Sequence, residues 1–270
     1  MKKAILAAAL ALAAGAWAQQ PPKQPAPKSQ KELDAVLAIQ NAADPDARIK
    51  AAEDLLANFA DTDFKEFALQ MQALSYQQNN DFEKMMIAGE RTLQINPDNI
   101  AVLIAMAQAL PQRTREFDLD KEEKLGKAEK FAGKALAVIP NLPKFNPQIS
   151  DEEWTGYKRG AMAQVHEALG MVAFSRKNYP AAEQSFKTAS EVSPTPDATL
   201  LYRLAMTHVA QNKVDDALAS LDKAIAAGGV KMDGKDLAEE QKASLLKAKA
   251  AAQAKPAAPA APPQVEIKRP

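Results

Sequence analysis

At 270 residues, with 47% hydrophobic and 25% charged side chains, the chain is long enough to bury a sizeable core. Its 34 basic and 34 acidic residues cancel, which gives no basic footprint for nucleic acid or for an anionic membrane surface. Cysteine is absent, so disulfide frameworks, thiolate nucleophiles and Cys-ligated zinc sites are excluded. Aromatic residues are scarce at 6%, alanine is abundant, and no run of β-branched residues reads as a strand. The pattern supports only an all-α class, with helices packed closely through small side chains.

Residues 1–18 read as a secretory leader: Lys2 and Lys3, an apolar run from Ala4 to Ala14, and the small-x-small triplet Ala16-Trp17-Ala18. The apolar run is shorter than the ~20 residues that span a bilayer, and no cysteine follows for lipid attachment. The expectation is export to the periplasm or beyond, cleavage after Ala18 and no stable membrane anchor, with a mature charge of about −2 once Lys2 and Lys3 are gone. Residues 19–30 (QQPPKQPAPKSQ) carry four prolines and no large apolar side chain, which predicts an extended linker.

Helical periodicity runs from residue 31 to 253. Leu33, Val36, Leu37 and Ile39 form a first apolar stripe, closed by Asp44-Pro45; Ile49, Ala52, Leu55 and Leu56 form a second. Phe64 to Asn99 holds a clearer pair, with Leu69, Ala73 and Tyr76 on one helix, a turn at Asn80-Asp81-Phe82, and Met85, Gly89 and Leu93 on the other. A further pair runs from Ile100 and resumes at Leu125, split by a charged insertion at 111–124; a second insertion covers 141–149. Ser150 and Glu153 form a capping box opening a long helix to Arg176, in which Gly156 and Gly160 each cost about 1 kcal/mol relative to Ala and imply close packing. After Gly228-Gly229, residues 236–253 read as an amphipathic cap with Leu237, Leu245 and Leu246 inward, and 254–270 as an Ala/Pro-rich, disordered or polyproline-like tail.

Between residues 163 and 229 one pattern occurs twice. Ala182 matches Ala217, Phe186 matches Leu221 and Ala189 matches Ala224, each 35 positions apart. Leu169, Gly170, Ala182, Phe186, Ala189 and Pro194 resemble the marks of the tetratricopeptide repeat, a 34-residue helix-turn-helix unit. His166 stands where that family has Trp, and Ala173 where it has Tyr. The copy from Glu66 keeps Tyr76 and Pro97 but has Met85 and Thr92 at the alanine sites, which implies a looser junction there. The resemblance implies a right-handed superhelical array of about five helix pairs with a C-terminal capping helix. It also implies a protein-binding scaffold whose concave groove is lined by the first helix of each pair.

In that register the groove positions are Phe67, Gln70, Met71 and Leu74; Ile104 and Gln108; Glu167, Met171 and Phe174; and Tyr202, Met206 and Val209. Methionines and aromatics there suit an apolar or amphipathic peptide from an envelope protein, the competing reading being that several are simply core. The Lys/Arg/Asn clamp by which some relatives hold a terminal carboxylate is missing, since only Arg203 among these places is basic. His166-Glu167 begins like the zinc-peptidase motif H-E-x-x-H, but Gly170 replaces the second ligand, and His208 is the only other histidine. Asp118, Asp120, Glu122 and Glu123 lack the glycine and closing glutamate of a calcium loop. No catalytic constellation, cofactor fingerprint or metal set is found. The expectation is a non-enzymatic scaffold, with a holdase-like carrier or an accessory subunit of an envelope enzyme as alternatives.

Overall fold

The structure is a computed structural model that describes residues 25–254. The expected leader, most of the first linker and nearly all of the last tail lie outside those residues. Five helix pairs follow one another: α1 (Gln30–Gln40) with α2 (Pro45–Asn58), α3 (Lys65–Gln78) with α4 (Phe82–Ile95), α5 (Ile100–Gln112) with α6 (Lys121–Val138), α7 (Asp151–Ser175) with α8 (Tyr179–Val192), and α9 (Ala198–Ala210) with α10 (Val214–Ala226). A hairpin of two short strands, β1 (Lys231–Met232) and β2 (Lys235–Asp236), leads into the last helix, α11 (Leu237–Ala254). Each helix packs on the next in sequence, and α1 on α3, α3 on α5 and α5 on α7 add contacts between alternate helices. The result is a helical repeat solenoid.

Local chemistry sets the helix ends. Ser29, Asp44, Asp81, Asn99, Ser150, Asn178 and Asp197 each accept a hydrogen bond from a backbone N–H two or three residues into the helix they open. Ser150 and Glu153 make the full capping box. Three pairs turn through a left-handed residue at the same place, Asn80, Lys177 and Asn212, with φ of 57°, 61° and 59°. Asparagine tolerates that conformation better than most residues, whereas Lys177 carries its strain.

The core is shared between pairs rather than enclosed within them. The largest cluster gathers Leu103 and Ala107 of α5, Ala132 and Ala135 of α6, Val165 and Ala168 of α7, Phe186 of α8, and Leu200 and Leu204 of α9. Gly170 makes this possible, because a Cβ there would lie 2.5 Å from the Phe186 ring. The α3–α4 junction is not loose. Met85 and Thr92 are 1% and 0% exposed, the Thr92 hydroxyl donates to the Ala88 carbonyl at 2.9 Å, and Gly89 receives the Met106 side chain.

Several boundaries and orientations depart from expectation. The linker is ordered before residue 30: Ser29 caps α1, and the Lys28 N–H donates to Glu32, which is fully buried and accepts from the Thr62 hydroxyl at 2.6 Å. Proline does not end α5 at residue 110; Pro111 is buried inside its last turn, α6 starts at Lys121, and the insertion shrinks to 113–120. Leu37 and Leu246, expected inward, are 40% and 46% exposed. Asp236 begins no helix: its buried carboxylate accepts from the Val230 and Ala238 N–H groups and pairs with Lys231, sealing the hairpin to α11.

Candidate functional site

The first helices line two adjacent clefts. The larger, of about 610 Å³, is walled by Leu74 and Gln77 of α3, Ala101, Ile104, Ala105 and Gln108 of α5, and Pro194. Its third wall is the first half of α7: Glu153, Gly156, Tyr157, Gly160, Ala161 and Gln164. The smaller, of about 270 Å³, is almost wholly apolar and lies between Pro111, Met171, Phe174, Ser175 and Phe186, with Arg203 and Met206 of α9 opposite. Between them stands Glu167, ion-paired with Arg203 of the small cleft and 3.4 Å from the amide of Gln108 in the large one. Burial holds the Glu167 carboxyl above the ordinary carboxylate range even though Arg203 pulls the other way.

Seven of the twelve expected groove residues therefore meet on this face. Leu74, Ile104 and Gln108 lie in the large cleft, Met171, Phe174 and Met206 in the small one, and Glu167 between. The other five do not join them. Phe67 and Met71 pack on the first core cluster beside Val36, Ile39 and Leu55, because α3 is the wall against which α1 and α2 close. Gln70 accepts from the Asn99 amide at 2.8 Å, and Tyr202 packs on Leu201, Ala205 and Leu221. Val209 is half-buried and lines neither cleft.

The sequence predicts close packing at Gly156 and Gly160, whereas the structure sets the first half of α7 along the large cleft. A Cβ at Gly156 would meet nothing within 4 Å, and one at Gly160 would meet only Pro194, at 3.9 Å. These glycines face the cleft, where missing side chains deepen it. The signal was present in the spacing: positions 153, 156, 157, 160, 161 and 164 are one helical face. Beside them Trp154 and Tyr157 stack at 5.0 Å and 9°, and Phe145 from the second insertion stands edge-on to both at 5.3 and 5.7 Å. Trp154 is buried, while Phe145 and Tyr157 are 68% and 42% exposed. Burial pushes the Tyr157 phenol above its usual range, so it keeps its proton.

The polar groups elsewhere are engaged structurally. Lys187 and Lys213 hold the Glu183 carboxyl far below the carboxylate range, and its Oε2 also accepts from Gln211 at 2.8 Å. Buried His208 lies with Nδ1 3.2 Å from the Ser220 hydroxyl and Nε2 3.5 Å from Glu183 without a hydrogen bond. Burial lowers the His166 pKa, favouring the neutral ring. Among the described residues no group of three or more His, Asp or Glu could hold a metal ion, and no helix is long and apolar enough to cross a membrane. In the insertion Asp118 and Asp120 pair with Lys124 and Glu116 with Lys177, and in the first turn of α6 Glu122 pairs with Arg176, an occupied set rather than an open cation loop.

No protein-family profile matches the chain, and no curated protein matches it. Solved structures do. A thermophilic TPR protein of Thermus thermophilus superposes with a TM-score of 0.54 at 20% identity, over 80% of this chain and 99% of that one. PilW, described as a widely conserved type IV pilus biogenesis factor, gives 0.59 at 18% identity over 83% and 90%. MamA from Desulfovibrio magneticus gives 0.54 at 10% identity over 74% and 96%. With the repeat residues found at their packing positions, this likeness makes the chain a tetratricopeptide-repeat solenoid by fold.

Proposed function

We propose that this chain is a non-enzymatic interaction scaffold of the bacterial cell envelope, which holds a protein segment along the face shared by the two clefts. The observation that carries the reading is the pairing of a wide, nearly uncharged cleft with a small apolar one, joined by the Glu167–Arg203 bridge. Such a face offers an extended or helical segment apolar contacts at two points and polar contacts between them. The envelope setting rests on the leader-like residues 1–18.

Two substitutions test the groove. Gly156→Phe fills the large cleft from a position where a Cβ meets nothing, and it raises helix propensity. Met206→Glu puts a charge into the small cleft. Both proteins should keep the wild-type circular dichroism and lose capture of the partner by a photocrosslinker placed at Gln108. Undiminished capture by both would reject the groove. The methionine-lined small cleft also suits a holdase, since Met adapts to varied apolar clients. Crosslinking in the envelope separates the two: one or two fixed partners for a scaffold, many unfolded clients for a holdase.

A further inference from the structure

We propose that the proline run at residues 256–263 of one copy docks on the large cleft and its aromatic platform in a second copy. This rests on reading that face as a peptide-binding groove, and it names one occupant.

The run reads Pro256-Ala-Ala-Pro259-Ala-Ala-Pro262-Pro263. A spacing of three matches the three residues per turn of polyproline II, so Pro256, Pro259 and Pro262 lie along one edge of such a helix. Segments of this kind bind grooves lined by aromatic rings. Tyr157 offers an exposed ring in the cleft wall and Phe145 a second one beside it, with Trp154 stacked on Tyr157 and fixing its plane. The glycine floor at 156 and 160 leaves room for a backbone to approach.

The hydrogen-bond chemistry also matches. Proline has no N–H, and a polyproline II backbone presents unpaired carbonyl oxygens, so its partner must supply donors. Gln77, Gln108 and Gln164 bring side-chain amides to this cleft, and Tyr157 a phenol that keeps its proton. Charge agrees at one end. Asp151 is paired with Lys144 and Glu153 with the Ser150 cap, which leaves Glu152 at the opening of α7 facing solvent, while Lys255 precedes the run and Lys268 and Arg269 outweigh Glu266 after it.

The geometry favours a second copy over the chain's own cleft. The pairs Lys242–Asp222 and Lys249–Asp215 set α11 antiparallel to α10, so Ala254 lies beside the start of α10. Gly160 lies beside Pro194, at the opposite edge of the array, where α8 ends and α9 begins. The helices between those edges are about 20 Å long, and two residues of chain span at most about 7 Å, so a run that begins at Pro256 cannot lay its full length on the platform of its own copy. A contact between different patches on two copies is head-to-tail and joins further copies in series.

The test titrates a labelled peptide of residues 254–265 into the full chain and follows self-association by sedimentation velocity. The peptide should bind one site per chain and break up the associated species. Tyr157→Ala and the exposed Phe145→Ala should each weaken it about tenfold, the scale of one lost aromatic contact. A full chain with Pro256, Pro259 and Pro262 all replaced by Ala, which leaves every helix of the array intact, should sediment as a monomer where the wild type associates. Equal peptide affinity in both aromatic variants overturns the proposal. So does a wild type that stays monomeric, including one whose own tail shields the cleft. A Gln108 crosslinker that still captures an envelope protein after such a result would sink this inference and leave the groove standing; loss of both would sink both.

Discussion

The α7–α8 and α3–α4 pairs meet the same packing demand with opposite placements of bulk. In α7–α8 the volume sits where the repeat pattern puts it: Phe186 fills the junction, Gly170 yields to its ring, and Ala182 and Ala189 let the backbones approach. At the aligned places α3–α4 has Ala73 for Gly170, Gly89 for Phe186, Met85 for Ala182 and Thr92 for Ala189. The large side chain has moved one turn along α4, and the glycine left behind admits Met106 from the next pair. What persists is filled volume, while its position is negotiable.

Substitutions can break this comparison. Phe186→Ala should have the largest effect, a loss of about 3–5 kcal/mol by chemical denaturation, because it empties the centre of the main cluster. Gly170→Ala comes next, at about 1–3 kcal/mol, since the Phe186 ring is rigid and enclosed. Gly89→Ala should cost less than about 1 kcal/mol: a Cβ there would meet first the flexible end of Met106, at 2.8 Å, and the gain in helix propensity offsets part of the clash. If Gly89→Ala proved as damaging as Gly170→Ala, the claim that the two junctions distribute volume differently would fail.

A smaller effect separates the array from its cap. Lys231, helped by the Val230 and Ala238 N–H groups, lowers the Asp236 pKa from 3.8 to about 2. A depressed carboxyl pKa contributes stability that is full above the ordinary value and lost as pH falls through the folded one. Protection factors in α11, taken relative to the intrinsic exchange rate at each pH, should therefore fall between about pH 4 and pH 2, and Asp236→Asn should abolish that pH dependence. The Glu183 clamp inside the array, with its pKa lower still, should hold further into acid.

The helix pairs were legible because period, caps and turns agreed. Asp44, Asn99, Ser150 and Asp197 each stand before an apolar stripe and each caps a helix. The β1–β2 hairpin was not legible from alternation, since two-residue strands have none; Gly228, Gly229 and Asp233-Gly234 were its only trace. Half of the groove was hidden for a different reason. A glycine in a helix reports that a Cβ is unwanted, not whether a neighbour or open space takes its place, so Gly156 and Gly160 read equally well as packing or as cleft. Phe67 and Met71 share the helix face that lines the groove in later pairs, yet near the start of the array that face is covered by α1 and α2.

Arrays of this kind are often treated as beads whose stabilities add between nearest neighbours. The 25 residues of α7 make a rod about 37 Å long that touches α5, α6 and α8 together. A helix that long cannot fray within one repeat without loosening the two on either side. The middle of the molecule should open as a single cooperative block, with protection from exchange highest there and falling towards α1 and α11. The same rod carries residues of both clefts, so a ligand seated in one would stiffen the wall of the other without any change of shape.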